Sequence, residues 1–108
     1  MAIFHWKIQR ISAILLVPAV IYITFYFLNI GSLSYLEVIN DITSNFGILF
    51  IIFVAIVLFA HSSLGIETIM EDYIHDNFLQ RLFINLSKVI HVILLLTTLI
   101  SLTLIKGI

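Results

Sequence analysis

Three stretches of the chain lack Asp, Glu, Lys and Arg over membrane-spanning lengths. They are ISAILLVPAVIYITFYFLNI (residues 11–30), FGILFIIFVAIVLFAHSSLGI (46–66) and VIHVILLLTTLISLTLI (89–105). A spanning helix needs about 20 apolar residues, with about 17 as the lower limit. The third stretch is short, but Leu82, Phe83, Ile84 and Leu86 extend it toward the chain's middle while Lys88 snorkels. The pattern therefore predicts three transmembrane helices, over about 11–30, 46–66 and 86–105. The first is too long for the apolar part of a signal peptide, about 7–15 residues, and no small-residue cleavage site follows it. It reads as an uncleaved helix, which Pro18 is expected to kink by removing a backbone donor.

Basic residues set the expected orientation. Lys7, Arg10, Arg81 and Lys88 fall at one membrane face and Lys106 at the other. The positive-inside rule then puts the N-terminus and the second loop in the cytoplasm or matrix. The first loop, residues 31–45, carries Glu37 and Asp41 and faces outward. Ser44 or Asn45 is placed to cap the second helix, and Trp6 sits where an interfacial anchor belongs.

Composition agrees. Of 108 residues, 62% are hydrophobic and 10% charged, against about 25% charged in soluble domains. So much apolar surface cannot hide inside so small a chain, and the lipid bilayer has to be its solvent. The net charge of −1 leaves no basic footprint for nucleic acid. No cysteine is present, which excludes disulfides, thiolate metal sites and cysteine nucleophiles. There is no internal repeat or linker. The expected architecture is all-α, one membrane domain over residues 1–108. Three helices in a row leave most side chains facing lipid or another protein, so a stable partner is expected.

The residues that cost energy carry the chemistry. His61 is the one titratable residue in the second span, about 8 Å before that span's inner end. Polar groups at such depth usually face protein, water or a ligand. An imidazole there has three possible roles: a hydrogen bond to a neighbouring helix, ligation of a metal or haem, or proton relay. Gly65, one turn on, leaves room for a flat ring or for the close approach of another helix. Asp72 follows His61 by eleven residues, close to three turns or ~16 Å. If the helix continues, His61, Gly65 and Asp72 share a face, with Tyr73 beside it at the membrane boundary. Tyr73 there is either an interfacial anchor or a hydroxyl donor to a ligand carbonyl, with Asp72 orienting it or passing protons. Arg10 contacts lipid headgroups or holds an anionic group such as a carboxylate. His91, in the third span, is an interhelix hydrogen-bonding group or a second axial ligand. His5 and His75 read as solvated, and Glu67, Glu71 and Asp76 as the wet surface of the second loop.

The stretch HSSLGIETIMEDY (61–73) resembles the H-x-x-x-G-x-x-x-x-x-x-D-Y signature of the small (D-type) hydrophobic anchor subunits of succinate dehydrogenase, respiratory complex II. QRISAILL (9–16) resembles the Arg-x-Ser/Thr-Ala-Ile stretch that opens the first helix in that family. The resemblance covers nearly the whole chain. It implies three helices packing with a partner anchor subunit around haem b. It implies that His61 is one axial ligand of the haem iron, the second coming from the larger cytochrome b anchor subunit, which makes His91 unnecessary. Arg10 matches an arginine near the haem propionates. Tyr73 matches a tyrosine that hydrogen-bonds ubiquinone, and Asp72 its acidic neighbour in the quinone site and in proton uptake.

The resemblance also implies a division of labour. A flavoprotein subunit oxidises succinate, an iron–sulfur subunit carries the electrons, and the chain, without catalysis of its own, docks both and helps bind haem and quinone. Two other readings stand beside this one. One is the anchor of a fumarate reductase, running the same architecture in reverse. The other is a haem-free three-span structural or assembly protein, which leaves the coincidence of His61, Gly65, Asp72 and Tyr73 without a reason. A transporter fits less well, since no span carries a carboxylate and no inverted repeat exists. With no Arg- and Ser-rich, acid-poor segment ahead of the first helix, the expected location is a bacterial inner membrane, N-terminus cytoplasmic, with the mitochondrial inner membrane as the other candidate.

Overall fold

A computed structural model describes residues 2–107. The order is α1 (Ala2–Leu28), a 3-10 turn (Ile30–Ser32), α2 (Tyr35–Thr43), α3 (Asn45–Tyr73) and α4 (Asn77–Lys106). Helices α1, α3 and α4 are long and apolar enough to cross a membrane. Each outruns its charge-free stretch. α1 takes in Lys7 and Arg10, α3 continues past Ile66 to Tyr73, and α4 takes in Arg81 and Lys88. Long basic side chains let a helix run on into the headgroup region without burying charge. α1 runs through Pro18 without a break in the helix.

The first loop is largely helical. Ser34 caps α2, its hydroxyl accepting from the Glu37 amide at 3.2 Å. The Ser-x-x-Glu spacing is a helix-start signal written in the sequence. Ser44 caps α3, accepting from the Gly47 amide at 3.0 Å while donating to the Asp41 carbonyl at 2.7 Å. The α2–α3 corner is tight enough to need Gly47. A Cβ there would strike the backbone carbonyl oxygens of Asp41 and Ile42.

The second corner is only residues 74–76 long. Asp76 belongs to it as a cap rather than as free wet surface, its carboxylate accepting from the Leu79 amide at 2.9 Å. Gln80 donates back to the carbonyl of Ile74 at 2.8 Å. α4 closes on Gly107, in the left-handed region at φ 87°, where a glycine carries no Cβ penalty.

α3 is the middle helix, packed by α1 on one side and α4 on the other, with α2 packed against both α3 and α4. The buried positions are few and mostly small: Ser12, Ala19, Ala55 and Leu102. Small residues let membrane helices approach where no hydrophobic force drives them together. At the end holding the α2–α3 corner, Tyr22 packs edge-on against Phe50 with centroids 5.0 Å apart, and Phe46 stacks on Phe50 at 5.7 Å. Most other large apolar side chains are exposed on all three long helices, the surface a bilayer or a partner would cover.

Candidate functional site

α1 and α3 run antiparallel, and their register sets His61 against Ser12. His61 Nδ1 lies 2.9 Å from Ser12 Oγ. The Ser12 hydroxyl also reaches the Gln9 carbonyl oxygen, 3.0 Å away and one turn back. Ser12 is 5% exposed, so this contact is shut off from the surroundings. Gln9 grips the same turn of α3. With its amide oriented to satisfy both ends, Nε2 donates to the His61 carbonyl at 3.1 Å and Oε1 accepts from the Gly65 amide at 3.3 Å. Gly65 therefore serves the close approach of α1. A Cβ at 65 would come within 3.2 Å of the end of the Gln9 side-chain amide. Nε2 of His61 has no hydrogen-bond partner among the described residues.

His91 differs. Its Nδ1 lies 2.7 Å from the Ser87 backbone carbonyl, which only accepts, so Nδ1 donates. Its Nε2 lies 2.9 Å from the Ser62 hydroxyl, and the ring stands edge-on to Phe59. Both nitrogens are used within the chain, which makes His91 a tie between α3 and α4. Ser12, His61, Ser62 and His91 thus form one polar layer crossing all three spans.

The continuity of α3 through Tyr73 meets the condition for His61, Gly65 and Asp72 to share a face. Tyr73 is 79% exposed, Asp72 is exposed, and neither side chain bonds to a described residue. Arg10 is exposed as well, its guanidinium 5.3 Å from the centroid of the Trp6 ring. Glu67 is not wet loop surface. It lies within α3, its side chain 15% exposed and 3.8 Å from the Lys88 ammonium of α4. That separation is an ion pair without a hydrogen bond, and Glu67 Oε2 has no other partner. His75 is exposed, whereas His5 is half-buried.

Ser12, Gln9 and Ser62 are the polar contacts that sequence reasoning did not assign. Ser12 and Gln9 flank Arg10 in the motif that opens the first helix, and Ser62 adjoins His61. Nothing local marks which histidine each one meets. An apolar groove of about 490 Å³ lies elsewhere, between α1 and α3 at the end holding the α2–α3 corner, with Tyr26 donating to Asp41 at 2.8 Å beside it.

Residues 1–104 match the model of the succinate dehydrogenase/fumarate reductase transmembrane subunit family. The chain belongs to this family. A succinate dehydrogenase membrane anchor subunit from Reclinomonas americana is 36% identical over 74 residues, covering 66% of this chain. The matched region spans 62% of that relative's length. No solved structure matches. Three helices of membrane-crossing length and membership of a transmembrane family make the chain a multi-pass membrane protein.

Among the described residues of this transmembrane subunit, no three His, Cys, Asp or Glu side chains gather to hold a metal. A lone histidine with one ring nitrogen tied to protein and the other open instead fits a metal held mainly by a prosthetic group, with a second ligand from outside the chain. His61 meets that description and His91 does not.

Proposed function

We propose that the chain is the small membrane anchor subunit of a succinate:quinone oxidoreductase. It would hold the iron of a shared haem b through one side chain and form part of a ubiquinone site. The observation that carries this reading is the pairing, on one continuous helix, of a membrane-depth histidine with a free Nε2 and an unpartnered Asp-Tyr at the helix's wet end.

Haem b, when bound, contributes an iron that passes single electrons at a potential tuned by its axial ligands. His61 would hold that iron through Nε2, and the larger cytochrome b anchor subunit would supply the second ligand. Arg10, exposed near the start of α1, offers a planar donor array suited to a haem propionate. Ubiquinone becomes ubiquinol by gaining two electrons and two protons, so its site has to meet water. Tyr73 donates its hydroxyl to a quinone carbonyl there, and Asp72 beside it orients that hydroxyl or passes protons.

Electrons arrive from succinate through the flavoprotein and iron–sulfur subunits, which dock at the end holding the start of α1 and the α3–α4 corner. The basic residues at that end support a cytoplasmic or matrix side for it, in an inner membrane. Exposed large apolar side chains on every span suit lipid and the partner anchor.

The test is purification in mild detergent, subunit identification and an optical spectrum. Co-purification with three other subunits, with a low-spin b-type spectrum that His61→Ala weakens or abolishes, is expected. Isolation as a stable homomer would sink the anchor reading. Assaying succinate-to-quinone against quinol-to-fumarate turnover separates the two activities in the family's description, and the succinate direction is expected to prevail.

A further inference from the structure

We infer that Ser12 is a positioning residue for His61, holding its imidazole with the proton on Nδ1 so that Nε2 keeps an open lone pair for iron. This inference rests on the haem reading above. A serine hydroxyl has one proton to give. The Gln9 carbonyl, 3.0 Å away, can only accept, and the Ser12 hydroxyl donates to it. Ser12 Oγ is then an acceptor toward Nδ1 at 2.9 Å, and Nδ1 is the donor. A neutral imidazole has a single N–H, so Nε2 is left as the lone pair.

The opposite arrangement would turn the Ser12 proton onto Nδ1 and put the N–H on Nε2. No described residue accepts a proton there, an unpaired donor in an apolar setting is costly, and an N–H cannot ligate iron. The wiring matches what metal-bound histidines require, where the second nitrogen's hydrogen bond sets tautomer and ring orientation and raises ligand basicity. Gln9 adds to the hold. Its amide brackets the His61 carbonyl and the Gly65 amide, at 3.1 and 3.3 Å, so α1 fixes both the ring and the backbone that carries it. The shielding of Ser12 keeps water from replacing its contact.

The experiment compares the wild-type complex with Ser12→Ala, Ser12→Thr and His61→Ala, with subunit content checked in each. The readouts are the optical difference spectrum, the electron paramagnetic resonance of the ferric haem, the redox midpoint, and haem transfer to an apo-haemoprotein acceptor. Ser12→Ala is expected to keep a b-type spectrum, raise the midpoint, shift the resonance, and weaken haem retention by roughly 10–100-fold. Ser12→Thr keeps the hydroxyl and restores all of these. Wild-type values throughout in Ser12→Ala would overturn the role of Ser12 and leave the haem reading standing. An unchanged spectrum in His61→Ala would overturn His61 as the iron ligand, the reading on which this inference rests. If Ser12→Ala does not assemble, ¹⁵N-histidine NMR of the haem-depleted wild-type complex decides. A protonated Nδ1 on His61 supports the inference, and a protonated Nε2 sinks it.

Discussion

The Ser62 hydroxyl donates to Nε2 of His91 across the α3–α4 interface at 2.9 Å, while the same ring's Nδ1 donates to the Ser87 carbonyl of its own helix. Ser62 follows His61 directly, so adjacent residues of α3 face opposite neighbours. His61 turns to α1 and Ser62 to α4.

His91→Phe is therefore expected to act on assembly and not on the haem. It leaves Ser62 and the Ser87 carbonyl without the ring, at a cost of about 1–3 kcal/mol. Thermal inactivation of the complex should come at lower temperature, with the haem spectrum per assembled complex unchanged. Selective loss of the haem signal would make His91 a ligand.

Tyr73→Phe removes one hydroxyl from an exposed ring. If that hydroxyl holds a quinone carbonyl, quinone reductase activity should fall about tenfold, the equivalent of one hydrogen bond. Dye-linked succinate oxidation by the peripheral subunits should survive. Equal loss of both activities would mark Tyr73 as an assembly residue.

Gly47→Ala tests the α2–α3 corner. The added methyl meets backbone oxygens of Asp41 and Ile42, which cannot swing aside as a side chain could. A loss of about 1–3 kcal/mol is expected from such overpacking, read as lower thermal stability with the haem spectrum retained. Ser34→Ala, which only removes the α2 cap, should cost about 1 kcal/mol.

The absence of native cysteine makes orientation simple to measure. A cysteine at His75, in the α3–α4 corner, should react with a membrane-impermeant thiol reagent from the cytoplasmic or matrix side. A cysteine at Ser32, between α1 and α2, should react from the other. The reverse pattern would invert the topology.

The amino-acid sequence by itself determined the three spans and their boundaries to within a few turns. These are local properties. A charge-free run of sufficient length goes into lipid whatever its neighbours do, and Ser44 caps α3 with groups three residues away. The α2 helix was also written locally, in Ser34 and Glu37, within what reads as a loop. The resemblance of the 61–73 stretch brought His61, Asp72 and Tyr73 forward, but not what holds them. Only the tertiary structure decided that Ser12 meets His61 across 49 residues of chain, that Gln9 occupies the space Gly65 leaves, and that Glu67 turns toward Lys88 rather than water. Helices apolar on nearly every face leave little periodicity to say which side meets which neighbour. Their rotation and register come from small residues and a few polar pairs meeting across the interface, and those pairings exist only once the helices are packed.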